Sequence, residues 1–553
     1  MTPFDGGGTG SAPAAASPVP ARRASSRERD PRRRLGAFYT PQIAAQVMTD
    51  WVLRSPSDRI LEPSFGDGSF LQVVAETAAA RGWSDVDVVG VEVDERPHAE
   101  AIARGLIAPG AALRGDFLEV DPFPVDAVLG NPPFVRLRHL PPRQRARALG
   151  LARDVLGVRM QSSGSLWMPF VLHATRFLRP GGRLALVLPF ELTYVRYARP
   201  LWEYLGATFG RLSVLRARDR LFPDILQEAV VLLADGKGRT TSAVELRAFE
   251  TVADLGEDDP AATASLSLQR VVAGERAFLE GLLPPPLQDL LRDKLHDLTR
   301  PADAFVDFRI GYVAADKSFF HPDAAAIAAY GLDGASLVPA VTSTRKLNGA
   351  GLHTSGLTRD RHELLFLPRS PRDLTPAEAA YVVTGEQRGV HRRYKCRVRE
   401  PWFLVPQVEF PDLILSVFCE LPLLMLNDGG FAASNSLLCA YVRDGYDRRA
   451  FAASWYTSLT ALQCELQVHS LGGGVLVLVP REARAVRMVP PVAAPPGHLR
   501  LLDSLLRDRR FEDAYRAGDD AVLRKAYRLT GGEIALIEEG AATLHHWRSG
   551  RPV

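Results

Sequence analysis

Four short apolar runs between Ile60 and Phe134 have the length of buried strands, and each ends in residues of the kind that hold ligands. These ends include Glu62, Glu92, Asp116 and Asn131. They recur at about the spacing of a βαβ unit, and the carboxyl ends of parallel strands meet at one edge of a sheet. The sequence therefore predicts an α/β fold with a ligand site at that edge.

The last of these runs, Val125–Gly130, is followed by Asn131-Pro132-Pro133-Phe134. Neither proline can donate a backbone hydrogen bond and both have a fixed φ, so the peptide projects stiffly. The Asn131 side chain and the Pro132 backbone each offer a carbonyl acceptor, and Phe134 offers a flat aromatic face. This combination fits a planar exocyclic amine. The alternative is a Pro-Pro pair that only ends a strand, with Phe134 as a core residue.

A glycine turn, Gly66-Asp67-Gly68, stands between the first run and an apolar-periodic stretch that predicts a helix. Glycines there let the backbone approach a ligand, and the helix N-terminus favours negative groups. The turn alone is more often an ordinary strand-to-helix connection. Glu92, at the next strand end, is placed to accept hydrogen bonds from ribose hydroxyls.

The order of these blocks resembles that of the class I S-adenosylmethionine-dependent methyltransferases, and within them the γ-type adenine DNA methyltransferases related to the TaqI and Eco57I enzymes. Residues 36–41 precede the glycine turn as in that family, and Pro180-Gly181-Gly182 and Leu221-Phe222-Pro223 follow it. The resemblance covers about residues 36–235. It implies a class I (Rossmann-like) methyltransferase domain, S-adenosylmethionine as cofactor, and methylation of the N6 amine of a flipped adenine in double-stranded DNA.

The resemblance also implies a cofactor site drawn from each block: Tyr39, Thr40, Glu62, Pro63, Ser64, Gly66, Gly68, Glu92, Asp116, Phe117 and Asn131. Within it Thr40 would meet the methionine end, Glu92 the ribose, and Asp116 the adenine amino group, with Phe117 against the adenine ring. The implied catalytic residues are Asn131, Pro132, Pro133 and Phe134, with Phe134 and Phe222 stacking on the target base. The family more often has tyrosine at position 134, but stacking needs only the ring.

Basic residues suggest where DNA would bind, although a net charge of +3 does not by itself indicate nucleic acid. Arg136 and Arg138 open a basic stretch, on a predicted loop and helix, that suits phosphate contact or a solvated face. In the second half, Arg392, Arg393, Lys395, Arg397 and Arg399 alternate as in a strand. Such a strand would face DNA or form a charged edge that deters aggregation.

At 553 residues the chain predicts more than one domain. The predicted parts are a disordered basic arm (1–34), a catalytic domain (35–250), a linker with one helix around Leu287 to Leu298 (251–300), and a mixed α/β C-terminal target-recognition domain (301–553). Segments of this last part resemble the recognition region of the Eco57I-like and TaqI-like enzymes, more loosely than the first half does.

The sequence has no run of about 18 apolar residues and no Cys-x-x-Cys spacing, so we expect a soluble, cytoplasmic protein without a metal site, a disulfide framework or a membrane partner. A cognate restriction endonuclease or defence-system protein is a possible partner. A fused nuclease is not expected, because only the arm precedes the methylase blocks. The alternatives are methylation of RNA adenine or protein glutamine, a non-catalytic DNA-recognition subunit, and N4-cytosine methylation, which usually has Ser or Asp at position 131.

Overall fold

The computed structural model describes residues 40–83, 86–222, 228–256, 262–370, 372–471 and 474–550. The predicted basic arm and Tyr39 therefore lie outside the described residues. The first half of the chain is built on a nine-stranded sheet with the order β3-β2-β1-β4-β5-β7-β6-β8-β9. Its strands are β1 Arg59–Glu62, β2 Asp87–Glu92, β3 Ala112–Arg114, β4 Val125–Gly130, β5 Leu178–Pro189, β6 Phe209–Ala217, β7 Ala229–Lys237, β8 Ala243–Phe249 and β9 Ala264–Ser267.

The four predicted strands are β1 to β4, and all are parallel. β5 continues the parallel part beside β4, whereas β7 is antiparallel to both β5 and β6. The chain runs outward from β1 to β3 and then returns to place β4 on the other side of β1. Ligands bind where strand order reverses in this way, because the connections diverge to opposite faces and leave a crevice.

Helices cover both faces of this sheet. They are α1 Gln42–Val52, α2 Ser69–Ala80, α3 Glu95–Ala103, α4 Pro142–Leu156, α5 Trp167–Phe177 and α6 Arg199–Thr208. Alternate residues of β5 enter different cores: Leu184, Leu186 and Leu188 pack with α4 to α6, while Ala185 and Val187 pack with α1 and α2. The central strands are therefore apolar on both sides, as buried parallel strands must be.

The sheet does not end at residue 250, where the sequence placed a domain boundary. β9 pairs antiparallel with β8 and so extends the sheet by one strand. The segment beyond contains α7 Leu268–Ala273, α8 Ala277–Glu280, α9 Pro285–Leu290 and α10 His296–Leu298, with one π-helical turn joining the last two. The predicted helix is confirmed, but Leu287 and Leu295 pack against Leu459 and Leu462 of the second half. Helically spaced leucines thus make this segment part of a core, and the prediction of a linker there is wrong.

The second half is mixed α/β, as predicted. Its strands are β10 Arg300–Pro301, β11 Val306–Ile310, β12 Leu337–Val341, β13 Glu363–Phe366, β14 Leu413–Ser416, β15 Phe418–Cys419, β16 Leu424–Leu426, β17 Ala432–Ala433, β18 Leu437–Val442, β19 His469–Leu471, β20 Val475–Val477 and β21 Arg487–Met488. They form small sheets, of which β11-β18-β14-β16 is the largest among the described residues. The helices are α11 Lys317–Phe320, α12 Ala324–Tyr330, α13 Thr344–Leu347, α14 Pro376–Gln387, α15 Tyr394–Arg397, α16 Arg448–Trp455, α17 Ser458–Gln467, α18 Pro480–Ala485, α19 His498–Arg507, α20 Phe511–Gly518 and α21 Gly531–Ser549.

The basic segment at Arg392–Arg399 is not a strand. A 3₁₀ turn at Val390–Arg392 leads directly into α15. Within this segment Cys396 is buried, whereas Val398, two positions further on, is 65% exposed, so residues two apart do not share a buried face. An alternation of charges without an alternation of apolar residues therefore gave a wrong prediction of local structure.

Cys396, Cys419, Cys439 and Cys464 are buried thiols that form no disulfide, in agreement with their sequence spacing. Among the helices of the described ranges, none has the length and hydrophobicity needed to cross a membrane.

Candidate active site at the carboxyl edge of the first sheet

The glycine turn after β1 is fixed by backbone geometry. Gly66 and Gly68 have φ values of +52° and +79°, and Gly68 precedes α2 as its N-cap residue. A Cβ on Gly68 would lie 2.7 Å from Leu106 Cδ1. The backbone N–H of Gly66 donates to Glu92 Oε2 over 2.9 Å, so the turn is joined to the end of β2. The sequence brings these two predicted site residues together because both follow neighbouring parallel strands.

Glu62 is the most deeply buried acid at this edge, with 2% of its surface exposed. Its Oε2 atom is buried and has no hydrogen-bond partner among the described residues. Burial, and then the nearby charges of Asp67 and Glu92, raise the pKa of this carboxyl well above its usual value. A buried acceptor without a donor is costly, so the position favours a ligand that brings a positively charged donor.

The carboxylates at the ends of β2 and β3 are held by backbone donors. Glu92 also accepts from the N–H of Asp94 over 2.8 Å. Asp116 accepts from the N–H of Leu118 over 3.0 Å, and burial raises its pKa. Both carboxylates are therefore fixed in orientation while retaining further acceptor capacity.

Phe117 does not fit the contact with a cofactor ring that the resemblance implies. It is 2% exposed and packs against Phe170, Phe177 and His173, with ring centroids 4.8, 5.4 and 4.8 Å away. In the structure it is a core residue beneath Asp116.

Asn131 is joined to both the amino-terminal block and the glycine turn. Its side-chain Nδ2 donates to Thr40 Oγ1 over 3.3 Å, and its backbone carbonyl accepts from Ser64 Oγ over 3.2 Å. The preceding Gly130 lies against Pro63, whose Cδ would be 3.2 Å from an added Cβ. Donation to Thr40 turns the amide oxygen of Asn131 away from that residue. Thr40, Ser64 and Asn131, three predicted site residues, thus form one connected group.

A cavity of about 470 Å³ opens beyond Phe134, on the side of β4 opposite Glu62. Phe190, Glu191 and Tyr194 follow β5, Arg216 lies near the end of β6 and Glu228 precedes β7; all five line it. The second half contributes further lining residues: Glu465, Val468, His469, Ser470, Leu544, Trp547 and Arg548. The cavity is thus formed jointly by the two halves of the chain.

Phe222, the second predicted stacking residue, is 5% exposed and belongs to the hydrophobic cluster that contains Leu215 and Leu255. Phe134 is half-buried and lines the cavity. The aromatic walls that accompany it are Phe190, Tyr194 and Trp547. These residues were not predicted from the sequence, although Phe190 and Glu191 follow a strand end in the same way as the predicted site residues do.

Glu191 holds Arg136 at the cavity wall. This glutamate is 8% exposed and accepts from Arg136 Nη2 over 2.7 Å, from Tyr197 Oη over 2.6 Å and from Trp167 Nε1 over 3.1 Å. Three donors fix the carboxylate, and the carboxylate in turn fixes the guanidinium. Arg138 lies on the exposed surface and α4 follows it, as the sequence predicts.

The predicted DNA-contact residues of the second half remain a basic surface, although a helical one. Arg393 pairs with Asp316 over 2.6 Å. Tyr394 is 66% exposed, with Lys395 and Arg397 beside its ring. Arg392 adjoins them, so the charges project from a helical turn and not from one face of a strand.

No cluster of three or more His, Cys, Asp or Glu side chains suited to a metal ion occurs in the described ranges.

Comparisons with known proteins match both halves of the chain. A family profile described as N-6 DNA Methylase matches residues 28–196, and one described as the C-terminal domain of type II methyltransferase M.Eco57I matches residues 276–523. Type II methyltransferase M.AccI of Acinetobacter calcoaceticus is 20% identical over 406 residues, which are 70% of this chain and 72% of that protein. M.TthHB8I of Thermus thermophilus is 32% identical over 207 residues, 36% of this chain and 45% of that protein.

Among solved structures, the type IIL restriction-modification enzyme MmeI in complex with DNA has a TM-score of 0.53 at 13% identity, covering 92% of this chain and 75% of that one. At this identity the likeness shows the fold alone. The two family profiles match in the same order as the two structural halves, a class I methyltransferase sheet followed by the region that matches the M.Eco57I C-terminal domain. The chain belongs to the N6 DNA methyltransferases of the γ type.

Proposed function

We propose that this protein transfers a methyl group from S-adenosylmethionine to the N6 amine of a specific adenine in double-stranded DNA. The observation that carries the proposal is the position of Asn131. Its side chain is fixed by Thr40 between an acidic ligand edge and an aromatic cavity. A methyl donor on one side and a planar amine on the other would meet at this residue.

The acidic edge suits the cofactor group by group. The buried Oε2 of Glu62 lacks a donor among the described residues, and the ammonium of the amino-acid moiety would supply one. Glu92 would accept from the ribose hydroxyls, and Asp116 from the adenine amino group. Pro63, Gly66 and Gly68 would let the backbone approach the amino-acid moiety. When bound, the cofactor supplies an electrophilic methyl on a sulfonium.

The task of the protein side chains is alignment. Asn131 Oδ1 and the Pro132 carbonyl would accept the two hydrogens of the target amine and direct its lone pair to the methyl group. Pro133 would stiffen this peptide, and Phe134 would stack on the base. Positive charge that develops on the nitrogen would be stabilised by the same two oxygens, which are oriented before the reaction begins.

A paired adenine cannot reach this site, so the target nucleotide would have to leave the duplex, at a cost of about a few kcal/mol. Stacking in the aromatic cavity would offset part of that cost. Arg136 and Arg138, and the basic surface at Arg392–Arg397, would contact the DNA backbone. A restriction endonuclease of the same specificity is the partner that such an activity implies.

The test is transfer of tritium from labelled S-adenosylmethionine by the full chain, with unmethylated duplex DNA, RNA and glutamine-containing protein as acceptors. We expect label in DNA, N6-methyladenine after nucleoside analysis, and a defined sequence context by single-molecule sequencing. Asn131→Ala should abolish transfer, while Asn348→Ala, at an exposed position, should retain it. Label in RNA or protein only, N4-methylcytosine as the product, or full activity of Asn131→Ala would contradict the proposal.

A further inference from the structure

Arg216 is a buried arginine in the wall of the cavity. Only 6% of its surface is exposed. Its guanidinium carbon lies 4.0 Å from the centre of the Phe190 ring and 5.2 Å from that of the Trp547 ring, so an aromatic residue from each half of the chain contacts it. Such contacts fix the plane of the guanidinium and direct its N–H groups along the rings.

The hydrogen bonding of Arg216 is incomplete. Its Nη2 lies 3.5 Å from Glu228, and its Nη1 is buried without a partner among the described residues. The other three arginines that line the cavity each donate a hydrogen bond shorter than 3 Å: Arg136 to Glu191, Arg548 to Glu465, and Arg276 to the backbone oxygen of Gln467. A buried charged donor that lacks an acceptor costs free energy, which indicates that an acceptor arrives from outside.

The position of Arg216 suits a base held at Asn131. β5 and β7 lie between β4 and β6, so the two strand ends are three strand spacings apart, or roughly 14 Å. A purine and the long side chain of an arginine together span such a gap. Both Phe134 and Arg216 line the same cavity.

The charges around the cavity decide which acceptor fits. Arg136 pairs with Glu191, Arg548 with Glu465 and Arg216 with Glu228, so a carboxylate balances three of the four arginines that line the cavity, and a phosphate would enter close to these three carboxylates. A neutral ring nitrogen meets no such repulsion and matches a single N–H donor. An adenine whose amine is held by Asn131 presents ring nitrogens on both sides of that amine.

We propose that Arg216 recognises the target base, with Nη1 donating to a ring nitrogen of the flipped adenine and with Phe190 and Trp547 holding the guanidinium in place. This inference rests on the proposed function. It also gives a role in the catalytic cavity to α21, which lies beyond residue 523, the end of the match to the M.Eco57I C-terminal domain: its Trp547 completes the wall behind the arginine.

The experiment uses duplexes that carry adenine, 1-deazaadenine, 3-deazaadenine or 7-deazaadenine at the mapped target position. With the wild-type protein, we expect loss of one ring nitrogen to lower kcat/KM roughly 10- to 100-fold, the size of a hydrogen bond to a charged donor. Arg216→Gln should show reduced activity on adenine and no further loss with that same analogue. Arg218→Gln is the matched control, because Arg218 lies two residues further on and pairs with Asp219 and Glu250; it should respond to the analogues as the wild type does.

The inference is overturned if the wild type methylates all three analogues as fast as adenine, or if Arg216→Gln keeps the full analogue penalty. It is also overturned if Arg216→Gln is less active than the wild type on every base analogue but equals the wild type on a duplex with a methylphosphonate in place of the target phosphate. The partner of Arg216 would then be the phosphate. The wild-type series needs no variant, so a folding defect of Arg216→Gln cannot obscure the result. If the wild type does not methylate adenine in DNA at all, the proposed function itself fails.

Discussion

The side-chain amide of Asn131 donates to the hydroxyl of Thr40 over 3.3 Å and so connects the end of β4 with the segment just before α1. An amide can rotate about its last side-chain bond, and a fixed partner on the nitrogen selects one of its two orientations. Thr40 thereby determines where the Asn131 carbonyl oxygen points.

We expect Thr40→Val to reduce kcat about 3- to 10-fold while changing the KM for DNA little, because the change removes one neutral hydrogen bond and keeps the shape of the side chain. Steady-state kinetics with separately varied DNA and cofactor would measure this. Thr49→Val is the control, since the buried Thr49 hydroxyl lies in α1 away from the cavity. Equal kcat values for Thr40→Val and wild type would show that Thr40 does not orient the amide.

A second prediction concerns protons at Glu62. Its raised pKa means that the carboxyl takes up a proton in the empty site more readily than an exposed glutamate does. A cationic ligand prefers the carboxylate, so cofactor affinity should rise with pH through the pKa of Glu62, and binding should release a proton. Conversely, the contribution of this group to the stability of the empty protein is present at low pH and is lost as pH rises through the raised pKa.

Calorimetry of cofactor binding in buffers with different ionisation enthalpies would count the released protons. Glu62→Gln should bind weakly and without proton release, whereas Glu76→Gln, an exposed position on α2, should behave as the wild type. Proton release that persists in Glu62→Gln would assign it to another group.

The glycine turn allows a matched comparison. Gly68 and Gly82 have similar φ values, +79° and +72°, but an added Cβ would contact Leu106 at Gly68 and nothing within 4 Å at Gly82. Both alanine variants should lose about 1 kcal/mol of stability through the left-handed backbone. Gly68→Ala should lose more and should also bind cofactor more weakly, as thermal unfolding and calorimetry would show. Equal losses in the two variants would mean that Leu106 adapts.

The residues of this site that stand at strand ends could be predicted from the sequence, whereas those that meet through packing between the two halves could not. Glu62, Glu92, Asp116 and Asn131 each stand at or just beyond the end of a parallel strand, and a parallel sheet brings such ends together without further information. Trp547 and Arg216 meet only because α21 packs across both halves, and no local pattern encodes that contact. At Arg392–Arg399 the sequence showed an alternation of charges, but Cys396 is buried and Val398 exposed, so no apolar alternation accompanies it and the segment is helical.

The last prediction concerns the ion pair that anchors α21. Arg548 is 6% and Glu465 7% exposed at the side chain, and Nε and Nη2 of the arginine each donate over 2.7 Å to a different carboxylate oxygen. Arg548 also donates to the backbone oxygens of Glu420 and Gly474. Burial acts to raise the pKa of Glu465, but the hydrogen bonds from Arg548 and His545 outweigh it and the pKa is lowered.

Removal of one partner leaves the other charge buried, so Arg548→Met should lose roughly 3–5 kcal/mol of stability. The double variant Arg548→Met, Glu465→Met should lose less than that single variant, because it leaves no uncompensated charge. Because the pKa of Glu465 is lowered, the contribution of the ion pair to the stability of the wild type is fully present above the pKa of an ordinary glutamate. It should be lost as the pH falls through the lowered pKa, and the double variant should lack this acid dependence. Denaturant unfolding of the wild type, Arg548→Met and the double variant across the acid range tests both statements. A double variant less stable than the single one would show that α21 needs the pair itself and not merely the absence of a lone charge.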